Sequence, residues 1–208
     1  MTLTPATIRD YDAQAADRET TDTATFGLGC FWGPDARFGA MDGVVRTRVG
    51  YAGGTTSDPS YHALGDHTEV VQVDFDPAVV SYRTLVETVC QHHPLHTQPQ
   101  KPQYQHLVLP STPSQRATIG AVLADLGETA TSVDTRIERL SQFYPAETYH
   151  QKYRLRSATA FVDAFDAARY TDEDFRDSPI AATLNGYVAG HNVNLDVELP
   201  PPDQHASG

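Results

Sequence analysis

Three runs with side chains alternating at every second position constrain this chain more than anything else in it. Residues 23–28, 44–51 and 70–75 set apolar or β-branched side chains against polar ones, the pattern of half-buried strands. Each run meets residues that a strand tolerates poorly: Gly29-Cys30, Gly53-Gly54 and Asp76-Pro77. Helical spacing fills the intervals. Residues 31–40 bring Phe31, Trp32 and Phe38 together. Ser81 is placed to cap a helix whose apolar face is Leu85, Val86, Val89 and Cys90, and Thr112-Pro113 opens another to about residue 126. Residues 107–109 and 136–140 read as short strands, 146–153 as a helical turn or two, 158–168 as a helix, and the His-, Gln- and Pro-rich 92–104 as loop. Strands alternating with helices predict a two-layer α+β domain.

The ends look different. Residues 1–22 are polar and aperiodic, which predicts a loose arm, and 200–208, beginning Pro200-Pro201-Pro202, a disordered tail. That leaves a core at 23–155 and a helical extension at 156–199 packing on it. No stretch approaches the roughly 18 apolar residues that span a bilayer, and residues 1–25 lack a basic start followed by an apolar run. A cytoplasmic location, away from membranes, is the expectation.

Charge narrows the partners. The net charge is -12, Asp outnumbers Glu 19 to 8, and Lys101 and Lys152 are the sole lysines. Nucleic-acid binding is disfavoured, because neutralising phosphates takes clustered Lys and Arg. Such an acidic surface resembles proteins that stay soluble in concentrated salt, although an ordinary acidic protein has it too. Cys30 and Cys90 are the only cysteines, and no CxxC is present. That fits working thiols in a reduced compartment better than a stapled scaffold.

Gly29-Cys-Phe-Trp-Gly33, at a strand-to-helix junction, is the strongest chemical signal. An ordinary thiol, with a pKa of about 8.5, is a few per cent thiolate at neutral pH. At a helix start, unpaired N–H groups and the dipole stabilise the anion. Phe31 and Trp32 beside it would line an apolar pocket suited to a methyl thioether. A buried core cysteine among core aromatics fits the same residues, and chemistry alone leaves both readings standing.

The motif resembles the active-site motif of A-type peptide methionine sulfoxide reductases, the enzymes specific for the S epimer. Further segments agree in the family's order: Val49-Gly-Tyr-Ala-Gly-Gly54, Pro59-Ser-Tyr61, Gly65-Asp-His-Thr-Glu-Val-Val71 with Asp74-Phe-Asp-Pro77, Gln103-Tyr104, and Phe143-Tyr-Pro-Ala-Glu-Thr-Tyr-His-Gln151. The likeness covers roughly residues 24–153, and Leu184-Asn-Gly-Tyr-Val-Ala-Gly190 is similar to tails of a shorter branch. It implies a ferredoxin-like sandwich and reduction of methionine-S-sulfoxide, peptide-bound or free. Cys30 would be the nucleophile, passing through a sulfenic acid. Glu69 would be the proton donor, needing an apolar setting to stay protonated. Tyr61 and Tyr104 would hydrogen-bond the sulfoxide oxygen, and Phe31 and Trp32 would bind substrate.

A second thiol must clear the sulfenic acid. Cys90 is the sole internal candidate for resolving it, but on its helix face it reads as core. Thioredoxin, glutaredoxin or a small thiol is therefore the expected external reductant, with no bound cofactor. The chain departs from the family pattern in places. No carboxylate lies between Glu87 and Asp125, where an Asp aligning near Pro99 is common, Pro34-Asp35 replaces Ala-Glu or Val-Glu, and Gln105 replaces Arg. His92, His93 and His96 invite a metal reading, but a Pro- and Gln-rich loop lacks ligand geometry, so no metal is expected. His67 precedes Glu69 by two and is a candidate neighbour of the pocket, its side-chain direction left open by the sequence, and His150 reads as structural. Two other readings compete: a diverged relative that binds methionine or senses oxidants through Cys30, and a Cys–His hydrolase using His67 or His150.

Overall fold

A computed structural model describes residues 3–199. The chain runs through α1 (Pro5–Gln14), β1 (Asp22–Leu28), α2 (Trp32–Gly39), β2 (Val44–Ala52), β3 (Thr68–Phe75), α3 (Tyr82–His92), β4 (His106–Val108) and α4 (Pro113–Asp125). It continues through β5 (Arg136–Ile137), β6 (Tyr144–Pro145), α5 (Tyr153–Arg156), α6 (Thr159–Ala167), α7 (Asp172–Asp177) and α8 (Pro179–Val188). The class is mixed α+β, built on one sheet in the order β5-β4-β1-β3-β2-β6. Its neighbours are antiparallel except β4 and β5.

Alternation in the strands decides which side chains meet the helices. Ala24, Phe26, Val71, Val73, Phe75 and Val108 face α2, α3 and α4, which answer with Phe38, Leu85, Val86, Val89, Ile119, Val122 and Leu123. Burying each larger apolar side chain contributes about 1.5–3 kcal/mol before entropy is counted. The opposite face buries Ala52, Val70, Leu107 and Leu109 beneath Leu140 and Phe143. Helix starts follow their capping residues: Ser81 accepts from the Thr84 N–H and Thr112 from the Gln115 N–H.

Four sequence expectations need correction. The supposed N-terminal arm holds α1, because Thr4 and Thr7 form a reciprocal cap with Pro5 in the first turn. Long-range contacts fix it: Ile8 is fully buried, and the Asp12 carboxylate accepts from the Ile180 N–H (2.9 Å) and the Tyr170 hydroxyl (2.8 Å). The strand expected over 136–140 shortens to β5, and β6 had no local signal. The loop at 92–104 ends in a 3-10 turn, Pro102–Tyr104. The helical turns at 146–153 become a 3-10 turn, Thr148–His150, separated from α5 by Lys152 with φ 53°.

That left-handed residue sends its side chain inward. Lys152 Nζ donates to the carbonyls of Thr47 (2.5 Å) and Arg176 (3.1 Å) and lies 3.8 Å from Asp35. The segment after α5 forms a second core with α1, in which Ile8, Leu155, Phe161, Phe165, Phe175, Ile180 and Leu184 are buried. Arg48 on β2 anchors α7 through Asp177 (2.5 Å) and β3 through Asp74 (2.8 Å). The expected disordered tail at 200–208 lies outside the described residues. Among those described, no helix is long and apolar enough to cross a membrane.

Candidate active site

Sheet register brings an acid to the end of β1. Phe26 pairs with Val71, and Glu69, two residues earlier on β3, reaches beyond the end of β1 to the Phe31 N–H next to Cys30. Gly29 makes the turn from strand to helix with φ 81°, where a side chain would be strained. α2 begins at Trp32, one residue later than its sequence suggests, so Cys30 precedes the helix cap. Cys30 is exposed and free.

The sulfur is not strongly acidified, contrary to the expectation from a helix start. Lost hydration pushes the Cys30 thiol up, and the nearby Glu69 carboxylate adds to this. The Trp32 backbone N–H and the Arg154 charge pull the other way without winning. The residue's outer surface is open, yet the sulfur is crowded enough for desolvation to dominate.

Glu69 is buried, 1% exposed. Its Oε2 accepts from the Phe31 N–H (3.1 Å) and its Oε1 from Gln103 Nε2 (2.7 Å). Burial raises its pKa, those two hydrogen bonds offset this only in part, and no cation contributes. Tyr104, in the 3-10 turn, joins the same group. Burial raises its phenol, and the charges of Glu69, Tyr61 and Cys30 act on it. Cys30, Glu69, Tyr61 and Tyr104 thus converge.

One aromatic cluster borders this group. Phe31 and Trp32 both pack on the His150 ring, and the Tyr153 ring lies flat on Trp32 at 3.7 Å and 4°. Trp32 Nε1 donates to His150 Nδ1 (3.3 Å), which makes His150 the tautomer protonated at Nε2. Burial lowers the His150 pKa and favours that neutral form. Its buried Nε2 has no partner among the described residues.

Glu147 supports the cluster. Its carboxylate accepts from the Tyr51 hydroxyl (2.7 Å) and the Tyr61 N–H (2.9 Å). Neither Glu147 nor Gln103 was singled out from sequence for a role, although both lie inside the quoted motifs; a polar residue beside each motif tyrosine was the available signal.

The other candidates sit elsewhere. Cys90 lines a groove between α3 and α4 with Arg83, Glu87, Val122 and Asp125. His67 closes its own loop, accepting from the Gly54 N–H (3.3 Å) and donating to the Thr56 carbonyl (2.7 Å). The local histidine cluster disperses: His92 donates to the Thr88 carbonyl (2.8 Å), His93 to that of Val89 (2.7 Å), and His96 pairs with Glu128 (2.9 Å). Among the described residues, no three His, Cys, Asp or Glu gather as a metal site.

The family model for peptide methionine sulfoxide reductase matches residues 22–179. A Drosophila melanogaster peptide methionine sulfoxide reductase is 41% identical over 174 residues, covering 82% of this chain and 70% of the relative. The Arabidopsis thaliana peptide methionine sulfoxide reductase A5 is 35% identical over 202 residues, covering 94% and 75%. Among solved structures, methionine sulfoxide reductase A of Corynebacterium diphtheriae superposes with a TM-score of 0.58 at 28% identity, over 68% of this chain and 77% of that one. Reduced Mxr1 from Saccharomyces cerevisiae gives 0.59 at 25%, over 68% and 88%. Matches of this length in both sequence and structure make the chain a member of the peptide methionine sulfoxide reductase family.

Proposed function

We propose that this chain reduces methionine-S-sulfoxide, peptide-bound or free, to methionine through Cys30. The reading rests on one observation above the rest: a buried carboxyl without a cation and two phenols converge on an exposed cysteine. Cys30 attacks the sulfoxide sulfur as a thiolate, forming an S–S bond, while Glu69 gives its proton to the oxygen. Tyr61 and Tyr104 donate to that oxygen as it gains charge. The oxygen then transfers to Cys30, leaving a sulfenic acid and releasing the thioether. Phe31 and Trp32 hold the methyl group.

Two external thiols return Cys30 to its starting state, giving a disulfide and one water. Thioredoxin, glutaredoxin or a small thiol fills that role, with no bound cofactor. Cys90 is assigned to the core rather than to resolution, since its groove and the Cys30 pocket have no lining residue in common. Two free thiols suit a reducing cytoplasm. The connectivity β1-α2-β2-β3-α3-β4 with sheet order β4-β1-β3-β2 supports a ferredoxin-like core over 23–155, which carries every residue given a role here.

Incubation with methionine-S-sulfoxide, without reductant, should add one oxygen to Cys30 by mass spectrometry. Excess dithiol should then sustain turnover. A single oxidation that never turns over marks a sensor, and an acyl adduct marks a hydrolase; either result sinks the proposal.

A further inference from the structure

α8 packs against α2 more closely than side chains normally allow. A Cβ on Gly39 would lie 2.2 Å from the Ala182 carbonyl oxygen, and one on Gly186 would lie 2.7 Å from that of Ala36. Backbones in such contact have one register. Within that register Asn185 is fully buried, and its amide is satisfied at both ends. Its Nδ2 donates to Asp35 Oδ2 (3.0 Å) in the first turn of α2, and its Oδ1 accepts from the Leu155 N–H (3.0 Å) of α5. Thr47 donates to the other Asp35 oxygen (2.5 Å). The two elements that Asn185 bridges are those carrying the stacked rings: Trp32 opens α2, and Tyr153 opens α5.

We propose that Asn185 is a positioning residue that holds the stacked Trp32–Tyr153 pair in place beside Cys30, so that the C-terminal extension helps shape the substrate-binding site. It touches neither the sulfur nor the acid. Its removal would strand a buried carboxylate oxygen on α2 and a buried N–H on α5, and both would move to recover partners. The inference rests on the reductase reading for what the pocket binds, but not for the geometry itself.

Trp32 is the single tryptophan, so fluorescence reports the stacked pair directly. In Asn185→Ala, at a temperature where the variant is folded by circular dichroism, Trp32 emission should shift. KM for methionine sulfoxide should rise about tenfold while kcat changes less than about threefold. A role confined to stability leaves emission and KM unchanged below the unfolding transition, and that result overturns the proposal. Should the Ala variant not fold, Asn185→Asp and the double variant Asp35→Asn with Asn185→Asp give the decision. The double variant keeps both hydrogen bonds with the charge moved across. It should recover the parent's emission and KM where Asn185→Asp alone does not, and equal impairment of the two refutes the assignment. If the parent chain has no turnover, the reductase reading fails, while emission still decides the role of Asn185.

Discussion

Cys30 and Cys90 carry the same thiol, and burial raises the pKa of both. Ionisation therefore does not separate them; their neighbours do. Cys30 sits where β1 turns into α2, with the Trp32 N–H and the Arg154 charge favouring its anion and a buried acid and two phenols alongside. Cys90 lies partway up a helix, packed against the main core, and the one charge acting on it, Glu87, opposes ionisation. The lesson is that a nucleophile is made by what converges on it: a poor acid becomes useful when a proton donor waits at the receiving end of the reaction.

The sharpest way to break this contrast is Cys30→Ser. Sulfoxide reduction with dithiothreitol should vanish, and retention of parental turnover would return both cysteines to equal standing. Next comes Glu69→Gln, for which we expect a loss of about 10²–10⁴-fold in kcat/KM. The pH profile should also change sign. Glu69 sits above the usual carboxylate range and Cys30 above the usual thiol range, so the pair holds one proton between those two values. The reacting form, thiolate plus acid, belongs to that singly protonated state. In the parent, kcat/KM should rise through the Glu69 value and fall through the Cys30 value. In the Gln variant the alkaline fall should be replaced by a rise as thiolate forms. A parental profile in that variant removes Glu69 from the mechanism.

Smaller effects sharpen the comparison. Tyr104→Phe removes one donor while Tyr61 remains, at a cost of about 1 kcal/mol, or roughly fivefold in kcat/KM. Steady-state rates unchanged by the substitution place the phenol outside the reaction. Cys90→Ala should leave turnover with dithiol intact and lower stability by about 1 kcal/mol in urea unfolding. An accumulating sulfenic acid at Cys30 in that variant would instead make Cys90 the resolving thiol.

What the sequence made legible was local. Strand alternation, the Ser81 and Thr112 caps and the motif around Cys30 all lie within a few neighbouring positions. α1 escaped notice although its Thr4–Thr7 cap and Pro5 are local, because what ties it down is Asp12 reaching Ile180, 168 positions away. β6, two residues long, exists only through its pairing with Gly50 and Tyr51. In the site, Cys30, Glu69, Tyr61 and Tyr104 were readable as motif members, but the Asn185–Asp35 bond spans 150 positions and leaves no local pattern. The acidity of Cys30 was misjudged for a related reason. A helix start is visible in sequence, whereas the crowding that dehydrates a sulfur and the carboxylate brought up by a neighbouring strand depend on tertiary packing.

Enclosure of Lys152 has a practical side. With its amine sealed against two carbonyls, Lys101 is the one lysine left at the surface. Its ammonium lies 5.9 Å from the Tyr104 ring centroid. Acylating reagents aimed at lysines would therefore mark a single side chain beside Tyr104, making a reporter group or a surface tether there a matter of ordinary bench chemistry.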